Sequence, residues 1–255
     1  MELRANLPRF HPALSQQLHI SWGDHLIITC TSCAFKKIGP LQLILSLLEI
    51  IQFLNQSINQ SAIMAAKHFI NDPTHLVNTA LQALTITNPS VALDAENKII
   101  YRRPGHAPQV SIISGGGSGH EPSFGAFVGD GLLSAAVAGT IFASPSAEQI
   151  RKAVMSRVDG EKGILVTVMN YTGDVLNFGM AVEKAKAAGL KVEMLVVGDD
   201  VGVGRIKAGK VGRRGIAGTV LVHKISGALA ARGASLEEVY KVAKLTADNI
   251  VSVGA

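Results

Sequence analysis

Aromatic residues make up only 5% of this 255-residue chain, and charged residues only 17%, against 47% hydrophobic residues and 26 glycines. So few large rings, with so much small apolar residue, suit an Ala/Val/Gly-rich α/β protein better than a β-sandwich. The low charge leaves enough apolar side chains for a sizeable buried core. Cysteine is nearly absent. Cys30 and Cys33 form one C-x-x-C pair. A single pair completes no zinc site, and no βαβ pattern surrounds it to make a thioredoxin-like redox site. No disulfide framework is implied, which fits a reducing compartment and a cytoplasmic setting. Long hydrophobic runs are also missing. The most apolar stretch, residues 41–54, contains Gln42, Ser46, Glu49 and Gln52. It is shorter than the ~20 apolar residues of a membrane span. It also lies too far from the start for a signal peptide, and the opening Met1-Glu2-Leu3-Arg4 lacks the acid-free character of a transit peptide. The formal charge is +5, and Arg205, Lys207, Lys210, Arg213 and Arg214 crowd into one segment. A local basic loop faces a phosphate or solvent. A nucleic-acid footprint would need a broader stripe, so neither nucleic acid nor membrane is expected as a partner.

What is present falls into two parts. Residues 1–63 carry Trp22 and both cysteines and lack the Gly-Asp-Val texture that follows. They read as an extension outside the domain, with Met64 as a second possible start. A local amphipathic helix fits residues 41–54. From residue 64 the pattern is regular. Asn71-Asp72-Pro73-Thr74 opens a helix that Asn88-Pro89 ends. Residues 91–104 read as an extended connector, or as a short edge strand. Strands are expected at residues 109–113, 132–139, 163–169 and 190–197. Helices are expected at 123–131, from Ser144-Pro145-Ser146 to about Arg157, after Asp174 to Ala188 with Gly189 as its cap, at 216–231, and from Leu236 to about Ile250 with Ser235 as N-cap. Strands alternating with helices over short connections predict an α/β fold: a mostly parallel sheet with helices on both faces.

The chain is organised around Ser114-Gly115-Gly116-Gly117-Ser118-Gly119-His120-Glu121-Pro122. A β-branched strand that empties into this many glycines is expected to make a tight turn, where backbone N–H groups approach a ligand unobstructed. Three strand ends carry reactive groups: residues 117–121, residues 170–174 (Asn170-Tyr171-Thr172-Gly173-Asp174), and Asp199-Asp200. In a parallel sheet these emerge on one edge, where ligands sit. Familiar templates fail here. Gly115 and Gly117 begin a dinucleotide fingerprint, and Gly116-Gly117-Ser118-Gly119 begins a nucleophile elbow, but both meet His120 where a glycine should stand. Gly209-Lys210-Val211 lacks the hydroxyl of a P-loop. The shared failure at one position suggests that His120 is there for its imidazole. His223 reads as a packing or surface residue, and Asp199-Asp200 as the cap of the following turn.

The nine-residue glycine stretch, Asn170 to Asp174 with Asn177-Phe178, and Gly212-Arg213-Arg214-Gly215 followed by Gly218-Thr219-Val220-Leu221 together resemble the dihydroxyacetone (glycerone) kinase family, in the wording of its fungal single-chain form. The resemblance spans residues 64–255. It implies ATP-dependent phosphorylation of dihydroxyacetone, with glyceraldehyde as a second candidate, by a homodimeric full-length protein. It implies that Gly117, Ser118, Gly119, His120 and Asp174 bind the triose, with His120 and Asp174 catalytic. The family's Lys before the Asn-Tyr pair is replaced by Met169. The family also captures the ketone on a histidine of a downstream His-Gly-Glu-Pro motif, and binds ATP and magnesium on a separate helical domain. Neither lies in this sequence, and no metal ligand is expected here. The chain is therefore expected to be the first part of a substrate domain, inactive alone. The other reading is a non-catalytic ketose-binding or regulatory module.

Overall fold

The computed structural model describes residues 18–22, 26–30, 74–204 and 211–254. The chain divides into two compact units, Met1–Phe69 and Ile70–Ala255. In the first, β1 (Leu18–Trp22) and β2 (Leu26–Cys30) pair antiparallel, with Leu18 opposite Cys30. The expected helix at residues 41–54, Cys33 and the Asn71–Pro73 helix start lie outside the described residues.

The second unit is built on a six-stranded sheet. Its elements are α1 (Leu76–Thr87), β3 (Val91–Asp94), β4 (Ile99–Arg102), β5 (Ser111–Ser118), β6 (Ala135–Ile141), α2 (Ala147–Ser156), β7 (Ile164–Met169), α3 (Thr172–Ala187), β8 (Val192–Val197), α4 (Thr219–Ala231) and α5 (Leu236–Asn249). The strand order is β3-β4-β6-β5-β7-β8. The last four in that order run parallel, and β4 and β3 add an antiparallel edge. The central strands β5 and β7 are buried along almost their whole length because both faces of the sheet are covered there. Alternate residues go to opposite sides, as the pleat requires. Ile112, Ala136 and Leu165 pack under α1, α4 and α5, through Leu81, Val222 and Val239 among others. Ile113, Val137, Val166 and Val168 pack under α2 and α3, through Ile150, Phe178 and Ala181. Capping boxes start two of the helices: Ser146 with Gln149 for α2, and Ser235 with Glu238 for α5.

Three expectations need correction. Residues 91–104 hold two strands where a connector or one short edge strand was expected: β3 and β4 form a hairpin with β3 at the sheet edge, and Asp94 closes its turn by accepting from the Asn97 N–H at 3.1 Å. Residues 123–131 hold only a single 3-10 turn, Gly125–Phe127. The glycine stretch is not a tight turn as far as Ser118. It is the second half of β5, paired with β6 from Gly115↔Val137 to Ser118↔Ile141, with a bulge between Gly116 and Ser118. Of its glycines only Gly119 has a positive φ, +119°.

The topology places an opening at this strand. β5 pairs with β7 only from Ser111↔Ile164 to Ile113↔Val166, whereas β7 stays with β8 as far as Met169↔Val197. Beyond Ile113 the two strands part, and Ser114 Oγ donates to the Thr167 carbonyl at 2.8 Å. The chain leaving β5 packs Phe124 and Phe127 on the α1/α4 face, while the chain leaving β7 enters α3 on the other face. Neighbouring parallel strands whose connections leave in opposite directions make a crevice at their carboxyl ends, the favoured ligand position of open α/β sheets.

Candidate active site

Glycine is required along β5 by what lies against it. A methyl group at Gly115 would collide with the Val137 carbonyl, and one at Gly117 would stand 3.0 Å from the Ala143 nitrogen. One at Gly116 would stand 3.0 Å from the Phe124 ring and 3.6 Å from Asp174 Oδ2. The glycines therefore admit a carboxylate and a phenyl ring against bare backbone. Gly119 then turns the chain out, and both Glu121 carboxylate oxygens accept from its N–H at 3.1 and 3.0 Å. Glu121, which looked like a reactive acid in the sequence, closes this turn.

Asp174 occupies the first turn of α3 and is buried. Its Oδ1 has no hydrogen-bond partner. Burial raises the carboxyl above the usual carboxylate range. The Ser144 hydroxyl opposes this in part without reaching the geometry of a hydrogen bond. The helix N-terminus favours the ionised form, so an acceptor is held at the crevice without a protein donor. Ser144 itself is held by its neighbour: Asn177 Nδ2, one turn along α3, donates to the Pro145 carbonyl at 2.8 Å.

Of the other expected residues, Ser118 is buried and donates its hydroxyl to the Gly139 carbonyl at 3.0 Å. The hydroxyl therefore holds β5 to β6, and its proton is already committed. His120 is exposed. Its ring meets Phe142 edge-on at 5.6 Å, and among the described residues no hydrogen bond joins it to Asp174. The structure thus brings Gly116 and Asp174 together and leaves His120 on the outer lip. A cleft of about 110 Å³ adjoins the glycine strand, lined by Gly116, Gly117, Ser118 and Phe124 with Leu81 and Leu84 of α1. Neither His120 nor Asp174 lines it.

The third strand end is structural. Asp199 is fully buried and accepts from the Ile216 and Gly218 N–H groups, each at 2.7 Å, and from the Ser252 hydroxyl. It ties the start of α4 to the C-terminal segment. Asp200 accepts from the Gly202 N–H and pairs with Arg214 at 3.3 Å. The capping reading of this pair is what the geometry shows. Asn170 donates to the Val211 and Arg213 carbonyls, both at 2.7 Å, and so pins the basic loop to the same edge. Among the described residues, no three His, Cys, Asp or Glu side chains gather as a metal site, and no helix is long and apolar enough to cross a membrane.

Sequence reasoning passed over Phe124, Phe142 and Ser144. The parallel-edge argument that found residues 170–174 applies equally to β6, whose far end leads into Phe142 and Ser144. Phe124 carried no motif, and only its fold-back onto Gly116 reveals it.

This geometry defines the class: an open, mostly parallel α/β domain with a buried carboxylate against a glycine strand at the switch-point crevice. The comparisons make it specific. Residues 82–255 match the Dak1 domain. The chain is 48% identical over 197 residues to dihydroxyacetone kinase 2 of Saccharomyces cerevisiae, covering 75% of this chain and 33% of that protein. It is 43% identical to the dihydroxyacetone-binding subunit DhaK of a PTS-dependent dihydroxyacetone kinase from Lactococcus lactis, covering 75% of this chain and 57% of that subunit. The crystal structure of the dihydroxyacetone kinase from C. freundii in complex with AMP-PNP and Mg2+ superposes with a TM-score of 0.66 at 46% identity, over 72% of this chain and 34% of that one. The chain belongs to the Dak1 domain family. It spans about a third of the length of the single-chain kinase relatives it matches.

Proposed function

We propose that this chain supplies the triose-binding part of a dihydroxyacetone kinase, a phosphotransferase acting on an alcohol group, in a cytoplasmic, homodimeric full-length protein. The observation that carries the reading is the carboxylate of Asp174, buried against Gly116 with Oδ1 unpartnered. An alcohol attacking a phosphoryl group must lose its proton as the new O–P bond forms. A substrate hydroxyl entering the crevice donates to Asp174; as its oxygen bonds to phosphorus, the bond from phosphorus to the donor's leaving phosphate oxygen breaks, and the hydroxyl proton passes to the carboxylate. A carboxyl raised by burial is a better base than an exposed one, because its pKa lies nearer the working pH. Gly117, Ser118 and Gly119 form the wall, with small residues and backbone groups that suit a small polar triose. His120, on the lip, hydrogen-bonds the substrate as it enters and assists the proton transfer.

ATP with magnesium is the inferred phosphoryl source, supported by the C. freundii kinase structure, which holds AMP-PNP and Mg2+. The described residues offer no metal cluster, so no step of the nucleotide chemistry is assigned to them. The test is a chimera in which residues 74–254 replace the matching third of the yeast kinase. It should form dihydroxyacetone phosphate in a coupled assay, and Asp174→Asn should cut turnover by roughly 10²-fold or more. Near wild-type turnover in that variant removes Asp174 from the mechanism.

A further inference from the structure

Helix α4 turns a partly polar face into the core. His223 is fully buried there, and neither Nδ1 nor Nε2 has a hydrogen-bond partner. Thr219 Oγ1, one turn earlier, is buried and unpartnered too. Such orphans are rare in native interiors, and each costs about 1–3 kcal/mol relative to a satisfied group. A leucine would fill the position without that cost, so the imidazole needs a reason.

Its contacts supply one. His223 meets Phe124 and Phe127, each with ring centroids 6.1 Å apart and with interplanar angles of 61° and 57°. Phe124 and Phe127 meet each other edge-on at 6.4 Å and 89°. An imidazole N–H edge directed at a phenyl face is a weak hydrogen bond, and an aliphatic side chain has no counterpart to it. Phe124 in turn stands against Gly116, at the point that Asp174 Oδ2 also approaches. Ring contacts join His223 to Phe124, and Phe124 and Asp174 Oδ2 both border the space that a Cβ at Gly116 would take.

We propose that His223 is a positioning residue for the candidate site. It orients the Phe124 ring, and the ring shields the Asp174 carboxylate from water. This rests on the reading of Asp174 as the proton acceptor and extends it to the core. The ring contacts of His223 among the described residues are Phe124 and Phe127. Lys224, the next residue, points away towards Gly131. On Asp174, the acting groups among the described residues are its burial, the Ser144 hydroxyl and the first turn of α3.

The test uses the whole 255-residue chain with no triose or nucleotide, so an inactive chain leaves it intact. The Asp174 carboxyl is titrated by carbon NMR in wild type, His223→Leu, His223→Phe and Val222→Ala, with thermal melting alongside. Leucine fills the space without an aromatic edge. It should lower the Asp174 midpoint by roughly one pH unit, towards the ordinary carboxylate range. Phenylalanine restores a ring edge and should keep the midpoint. Val222→Ala makes a neighbouring cavity in the same helix and should lower melting without moving the midpoint. An unchanged midpoint in a folded His223→Leu chain overturns the proposal. So does an equal shift in Val222→Ala, which would reduce His223 to ordinary packing.

Discussion

The buried His223 should make the domain acid-sensitive in a calculable way. Burial lowers its pKa from 6.5 to about 3. Above pH 6.5 the imidazole is neutral in both folded and unfolded chains and contributes no pH dependence. Below pH 6.5 the unfolded chain takes up a proton that the folded chain refuses. The folded state therefore loses about 1.4 kcal/mol per pH unit, down to the folded value near pH 3. At pH 5 the loss relative to pH 7.5 is about 2 kcal/mol, or a fall of roughly 4–8 °C in melting temperature for a domain of this size. Other groups lose stability in acid as well. Asp94 is one: burial pushes its carboxyl up, but hydrogen bonds from Arg157 and Asn97 outweigh that and hold it below its usual range. Such terms cancel in a comparison with His223→Phe, which keeps an aromatic ring and cannot titrate. Urea denaturation of both proteins between pH 4.5 and 7.5 should give a stability difference that is flat above pH 6.5 and favours the variant increasingly below it. A difference that stays flat to pH 4.5 would show that His223 protonates freely in the folded state and is not sealed in the core.

Other expectations follow from single residues. Gly115→Ala drives a methyl into the Val137 carbonyl and should cost roughly 1–3 kcal/mol by overpacking, read as a lower urea midpoint. Asp199→Ala strands the Ile216 N–H and leaves the Ser252 hydroxyl without its acceptor, while the Gly218 N–H keeps Ser252 Oγ, and should cost roughly 1–3 kcal/mol. Thermal melting checks this, and a loss within error would mean that water replaces the carboxylate. Ser144→Ala removes the one hydroxyl that counters burial at Asp174, so the carboxyl should titrate at higher pH by NMR, and a fall would reverse the assigned cause.

The sheet was readable because its signals are local. β-branched runs bounded by glycine gave β7 and β8, and Ser144-Pro145-Ser146 and the N-cap Ser235 gave the starts of α2 and α5. The hairpin of β3 and β4 was not readable in the same way. Its buried pattern comes from pairing with β6, which is distant in the chain, and residues 91–102 carry no hairpin turn signal of the Asn-Gly type. Residues 123–131 misled because their glycines and apolar residues can punctuate a short helix. In the structure Phe124 and Phe127 instead pack on His223, and that tertiary contact overrides the local pattern.

The glycine stretch shows most clearly why residue type was easier to read than conformation. A run of glycines is compatible with two physical demands: a positive φ, or room for something to approach. Sequence alone favours the first, because turns are where glycine is commonest. Here positive φ accounts only for Gly119, while Gly115, Gly116 and Gly117 answer to the Val137 carbonyl, Phe124 with Asp174, and Ala143. The difference bears on function. A glycine turn is mobile backbone that must be ordered when a ligand binds, at a cost of about 1–2 kcal/mol per residue. A glycine strand paired to β6 is already ordered, and its unpaired side faces the crevice left when β5 parts from β7. The backbone wall is therefore ordered in the free chain, while the lip beyond Gly119, with His120 and Phe142, is exposed. Amide hydrogen exchange on the free chain can separate the two cases. The Gly116 amide, on the β6 side of the strand, should be protected at the level of β7, with His120 exchanging fast. Uniformly fast exchange from Gly115 to His120 would return the whole stretch to the turn that the sequence suggested.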